Sequence, residues 1–180
     1  MLLWEEERVP QDWVNAILIP IPKKGDLSSC DNWRGIALLD VVGKAAARVV
    51  QNRLQAIADR ILPESQCGLR RQRSCIDMIF SVRQLQEKIL ENKTQDFFVF
   101  VDLKKAYDSM LRDGLWLVLA CLGVPPKLVN VILAFHEDMS AQIRLDGSLL
   151  DSIPVNNGLR QGCTMAPVLF TLFMCAVVEC

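Results

Sequence analysis

The chain has a single histidine, His136, and a single tyrosine, Tyr107. With so few imidazoles, a histidine-rich metal site is excluded, and any Ser–His or Cys–His device would have to use His136. That residue follows an apolar helical run, where a structural role is the simpler reading. The seven cysteines (30, 67, 75, 121, 163, 175 and 180) are odd in number, widely spread and without Cys-x-x-Cys spacing. This argues against a disulfide framework or zinc site and for an intracellular reducing compartment. No apolar run reaches the roughly 18 residues of a membrane helix, so no membrane partner is expected. The opening stretch "MLLWEEERVPQDW" is acidic where a secretory signal would be basic and then apolar. Repeats and low-complexity tracts are also lacking. What remains is 180 residues, 51% hydrophobic, enough for one globular unit with a substantial core.

Net charge is −1, but it is unevenly placed. Residues 20–75 carry ten Lys/Arg against five Asp/Glu, while the flanking segments are acidic. A basic half within a neutral chain suits a phosphate-bearing partner, and equally a solvated surface.

Residues 16–21 read as a strand, followed by a turn carrying Pro22, Lys23, Lys24 and Gly25, and "NWRGIALLD" is a second extended run. Asp40 is placed to cap a helix whose apolar positions Val42, Ala46, Val49 or Val50, Leu54, Ile57 and Ile61 recur at three to four, and Pro63 ends it. The polar loop "PESQCGLRRQRS" leads to a helix over about 76–92. Residues 97–102 then read as a buried strand. Two helices ("RDGLWLVLACLGV" and "PPKLVNVILAFHEDM"), a hairpin turning at Asp146–Gly147, a glycine-punctuated loop ("NNGLRQGCTMAP") and an apolar helix complete the chain. The pattern is α+β, with no linker dividing it.

The most instructive stretch is "FFVFVDLKKAYDSM", residues 97–110, where an apolar run ends on Asp102 and Asp108 follows six positions later. A buried carboxylate is costly unless paired, exposed or bound to a cation. At a strand end Asp102 suits a divalent metal with hard oxygen ligands; a solvated strand end or a cap for the following turn is the plainer alternative. Lys23, Lys24 and Arg34 sit in or beside two neighbouring extended segments, where they suit a triphosphate or simply a soluble turn. Arg70, Arg71 and Arg73 suit a nucleic-acid backbone or solvent. Gln161–Gly162 lies in a loop that lets backbone approach a flat ligand, with the amide as a hydrogen-bonding arm. Trp4, Trp13, Trp33 and Trp116 read as core or lining.

Taken in order, "ILIPIPKKGD", "NWRGIALLDVVGKAAARVVQNRL", "ESQCGLRRQRSCIDMIFSVRQLQEK", "FVFVDLKKAYDSM", "LWLVLACLGVP" and "NNGLRQGCTMAPVLFTLFM" closely resemble the reverse transcriptase domain of non-LTR (LINE-like) retrotransposons, from about Trp13 to Cys180. The resemblance implies a right-hand polymerase: a partial reverse transcriptase domain over 1–180, fingers-like over about 13–95 and partial palm over about 96–180. It implies an RNA-directed DNA polymerase that extends a DNA primer with dNTPs on an RNA template, using Mg²⁺ with Mn²⁺ as the alternative. Asp102 then matches the first catalytic, metal-binding carboxylate, and Leu103 the backbone that meets the incoming triphosphate. Tyr107 matches the aromatic that disfavours a 2′-hydroxyl, and Asp108 a structural position. Gln161 and Gly162 match the loop against nucleotide and template, completed by Pro167 and Phe170. Lys23, Lys24 and Arg34 match the basic fingers residues on the triphosphate, and Arg70, Arg71 and Arg73 a basic loop near the template. The family's Tyr/Phe-Ala-Asp-Asp hairpin lies downstream of the Gln-Gly helix and has no counterpart before Cys180. The expectations that follow are a chain inactive by itself, an open apolar sheet edge beside residues 97–102, and the remainder of a polymerase chain as the partner covering it. A non-catalytic RNA-binding remnant and a pseudogene product are the rival readings. The expected location is intracellular, in nucleus or cytoplasm, and not secreted.

Overall fold

The computed structural model describes residues 2–160 and 162–179. Two short helices, α1 (Leu2–Glu6) and α2 (Gln11–Val14), precede β1 (Ala16–Pro22). A 3₁₀ turn (Cys30–Asn32) then leads into β2 (Trp33–Leu38). These strands form an antiparallel hairpin running from Ile17↔Leu38 to Pro22↔Trp33. β1 also pairs in parallel with β3 (Ser140–Leu145), but only over residues Ala16 to Leu18. Pro20 and Pro22 therefore stand where β1 has one neighbour, so their missing N–H groups leave no ladder bond unmade. β3 turns back into β4 (Ser148–Leu149) through Asp146 and Gly147, both at positive φ (50° and 83°), as a two-residue hairpin favours. The strand order is β2-β1-β3-β4, and β5 (Ile153–Pro154) pairs on β3 off this path.

The helices pack beside this sheet. In α3 (Val41–Ile61), Asp40 accepts a hydrogen bond from the Gly43 amide at 2.8 Å, the cap expected of it, and helical geometry ends at Leu62, before Pro63. The face α3 buries is Gly43, Ala47, Val50, Leu54, Gln55 and Ala58, with Ala46 and Ile57 partly buried against the core, so the expected stripe holds at its centre and widens to include the small residues. The reason is packing: Trp13 lies against the start of α3, where a side chain at Gly43 would come within 2.9 Å of its Cβ. Small residues therefore face inward, and Val42 and Val49 stay exposed. With α5 (Arg112–Cys121), α6 (Pro126–Ala134) and α7 (Ala166–Glu179), α3 builds the core, whose centre includes Leu54, Leu115, Ile132, Leu169 and Leu172, all 0% exposed.

The middle of the chain packs differently. α4 (Cys75–Asn92) forms, with a capping box in which the Ser74 amide donates to Asp77 at 2.7 Å, yet it buries none of its residues. Residues 97–102 form no strand: no described segment pairs with them, and Phe97, Val99, Phe100 and Val101 are 78–91% exposed. Strand propensity is satisfied only by a partner, and no described segment supplies one here. The apolar edge anticipated beside this segment is thus an unpaired segment outside the sheet. Among the described residues no helix is long and apolar enough to cross a membrane.

Candidate functional site

A cleft of about 740 Å³ opens between the β1–β2 hairpin and the base of α7. Lys23, Trp33, Arg34 and Ile36 line it from the hairpin, Lys105 to Asp108 from the turn after residue 102, and Gly162, Cys163, Ala166 and Pro167 from the loop entering α7. Three segments far apart in sequence meet here, and four residues singled out from the sequence for a nucleotide, Lys23, Arg34, Tyr107 and Gly162, share the lining.

Each is placed by a definable contact. Arg34 is exposed on β2, paired with Ile21 through the main chain, and its guanidinium makes no hydrogen bond or ion pair among the described residues. Lys23 follows β1; its amide donates to Asn32 O at 2.7 Å, and its ammonium to Asp31 O at 3.1 Å. The Tyr107 ring stacks on Phe170 of α7, centroids 4.6 Å apart, and burial raises the phenol above its ordinary pKa. Gly162 has φ of +85°, and a Cβ there would lie 2.9 Å from Ala37 O, so only glycine lets the loop touch β2.

The loop that leads to Gly162 is fixed by main chain and two arginines. Leu159 N donates to Tyr107 O at 2.7 Å, and Gly158 N to Met110 O at 3.0 Å. Arg112 donates to the carbonyls of Gly158 (2.9 Å), His136 (2.8 Å) and Asn157 (3.2 Å). Arg160, 5% exposed, donates to the carbonyls of Trp13 and, at 2.7 Å, Asn15. Burial lowers the pKa of both guanidiniums from the ordinary arginine value, yet neither has a carboxylate partner in these bonds. Their charge is held by carbonyl dipoles.

Lys105 is the residue that sequence reasoning missed. It adopts φ of 52°, and its ammonium pairs with Asp31 at 2.8 Å. The bond from Lys105 holds the Asp31 carboxyl below its ordinary pKa, and Asp31 in turn raises that of Lys105. The available signal was the tandem Lys104–Lys105 just before Tyr107.

Other candidates lie elsewhere. Asp102, Leu103 and Lys24 are exposed and outside the cleft lining, while Asp108 is within it. Gln161 lies outside the described residues. In the basic loop, Arg70 donates to Pro63 O at 2.8 Å, Arg73 pairs with Glu64, and Arg71 is exposed. His136, 2% exposed, bonds Ile132 O through Nδ1 at 2.8 Å and packs edge-on against Trp116, away from the cleft lining. No group of three His, Cys, Asp or Glu among the described residues could hold a metal ion. The residues present therefore do not make a Mg²⁺ centre by themselves, since a small hard cation needs several oxygen ligands and Asp102 offers one carboxylate.

Residues 21–179 match the reverse transcriptase (RNA-dependent DNA polymerase) family. The chain is 30% identical over 167 residues to the RNA-directed DNA polymerase from mobile element jockey of Drosophila melanogaster, covering 91% of this chain and 18% of that protein. It is 26% identical over 163 residues to the Pol polyprotein from type-1 retrotransposable element R2 of Popillia japonica, covering 90% and 23%. The chain thus spans about a fifth of these relatives. In fold it is similar to apo telomerase from Candida tropicalis, truncated from the C-terminal domain, with TM-score 0.66 at 15% identity, over 95% of this chain and 40% of that one. The α+β fold is consistent with that of a reverse transcriptase, and the chain belongs to the reverse transcriptase family, similar along most of its length to the polymerases of non-LTR retrotransposons.

Proposed function

We propose that the chain is the nucleotide-gripping part of an RNA-directed DNA polymerase, fingers-like over about 13–95 and palm-like over about 96–180, which acts with an RNA template, a DNA primer and dNTPs. The observation that carries this reading is the convergence of Lys23, Arg34, Tyr107 and Gly162 on one cleft with cations on its walls. Arg34 and Lys23 neutralise the triphosphate, the arginine by its planar fork and the lysine as a point charge. Tyr107, buttressed by Phe170, sits under the sugar and disfavours a 2′-hydroxyl. Gly162 brings main chain to the base, and Gln161 adds its amide. Lys24 and the Leu103 backbone contribute at the triphosphate end, and Arg70, Arg71 and Arg73 face the template. Asp102 supplies one carboxylate toward Mg²⁺ or Mn²⁺, the ions that stabilise phosphoryl-transfer charge in such enzymes.

Because no further metal-ligating cluster accompanies Asp102 among the described residues, these 180 residues alone do not incorporate dNTPs. The test is dATP binding by calorimetry without added metal, alongside a primer-extension assay. Lys23→Ala with Arg34→Ala should weaken binding at least tenfold, Asp102→Ala should leave it unchanged, and extension should be absent. Unaltered affinity in the double variant would sink the assignment of the cleft. Extension abolished by Asp102→Ala would overturn the claim of inactivity.

A further inference from the structure

Both lysines of the cleft converge on one residue. Lys23 reaches the main-chain carbonyl of Asp31 at 3.1 Å, and Lys105 its carboxylate at 2.8 Å. Asp31 sits in the 3₁₀ turn between β1 and β2, 74 positions before Lys105 in sequence. The ion pair therefore ties the hairpin wall of the cleft to the Tyr107 wall. Its position is the informative part: Lys105 lines the same cleft as Lys23, Arg34 and Tyr107. Arg34, the third cation, has no acceptor among the described residues.

We infer that Asp31 is a resident counter-anion of the cleft, occupying Lys105 until a polyphosphate displaces it, and that Lys105 is a further phosphate-binding residue of the site. This rests on the cleft being the nucleotide site. The exchange is favoured by charge. Asp31 offers a single negative charge, whereas a triphosphate brings three to four and many acceptor oxygens. Both partners of the pair are more than half exposed, with side-chain accessibilities of 57% and 63%, and an exposed pair is weak enough to open. While closed, it spares the empty cleft from repulsion among three cations. Once open, it frees the hairpin to move relative to the Tyr107 turn, so ligand capture and release of the latch are one event. The latch also sets specificity by charge number: a monophosphate competes poorly with the carboxylate, and a triphosphate wins.

The test measures affinity of the 180-residue chain for inorganic tripolyphosphate and for dATP by calorimetry. It compares the parent, Asp31→Asn, Lys105→Gln and the double variant, with circular dichroism verifying the fold of each. Asp31→Asn should bind both ligands about three- to tenfold more tightly, in keeping with the worth of an exposed pair plus the removal of a repelling charge. Lys105→Gln should bind several-fold more weakly. In the Lys105→Gln background, Asp31→Asn should gain less than half of what it gains in the parent, because the competition it removes no longer exists. Unchanged or weaker binding by Asp31→Asn, or an equal gain in both backgrounds, overturns the latch while the nucleotide cleft stands. Failure of every variant, parent included, to bind either ligand overturns the cleft reading and the latch with it.

Discussion

His136 is buried against Trp116 with Nδ1 on the Ile132 carbonyl, and its Nε2 meets no partner. Burial, with Arg112 and Arg160 nearby, depresses its pKa from 6.5 to about 4. The unfolded chain takes up a proton near pH 6.5, and the folded chain resists it until about pH 4. Between these values the unfolded state binds more protons, so stability rises with pH and is lost as pH falls through the window. The difference amounts to about 3 kcal/mol on reaching pH 4. Urea titrations at pH 7.5 and pH 4.5 should show that loss in the parent and a much flatter profile in His136→Gln. Equal slopes in the two proteins would show that another group governs acid sensitivity. The structural reading of this histidine from its sequence context agrees with where it lies.

Two glycines separate backbone conformation from space. Gly123 has φ of +74° with nothing within 4 Å of an added Cβ, whereas Gly158 has φ of +79° and would place that atom 2.6 Å from Asp108 O. Gly123→Ala should cost about 1 kcal/mol, the left-handed strain alone. Gly158→Ala should cost about 3 kcal/mol or more, because the loop must leave the Tyr107–Met110 segment to make room. Melting temperatures of the two variants decide the matter. Similar losses would mean that the contact at Gly158 relaxes easily.

At the scale of elements, the cleft depends on a strap, residues 157–160, held to the start of α5 by Arg112. Lysine can supply the charge there but not a planar fork that reaches three carbonyls. Arg112→Met should destabilise by about 2–4 kcal/mol, since it leaves buried carbonyls without donors, and Arg112→Lys should recover only part of that. Chemical denaturation checks both, and full recovery by lysine would reduce the guanidinium to a mere charge. The helix ends were readable beforehand because capping is local: Asp40 before α3 and Pro63 after it needed no tertiary knowledge. On α3 the expected Val50 and Leu54 are buried, whereas Val42 is exposed and Gly43 faces inward, because Trp13, from another element, decides which residues fit at its start.

At the scale of the molecule, burial is lopsided. The α3, α5, α6 and α7 core is buried, while α4 and residues 97–101 present apolar side chains to solvent. Phe100, 86% exposed, should tolerate replacement by lysine within about 0.5 kcal/mol and reduce self-association of the chain. Leu54→Ala at 0% exposure should cost about 2–5 kcal/mol. Size-exclusion chromatography with thermal melts reads both. A large loss of stability in Phe100→Lys would mean that the segment packs in solution.

The order of motifs along the chain by itself determined the family, the α+β class and most helix and turn boundaries, because periodicity, caps and turn residues act over a few positions. It also marked Lys23, Arg34, Tyr107 and Gly162 as chemically interesting. Tertiary structure alone decided that these four meet, that Asp102 and Lys24 lie outside their cleft, and that Lys105 joins them through Asp31. It likewise decided that the most strand-like run in the sequence forms no strand. The physical reason is common to all of these: a side chain's neighbours across the fold, and a strand's partner, are long-range contacts that no local pattern encodes.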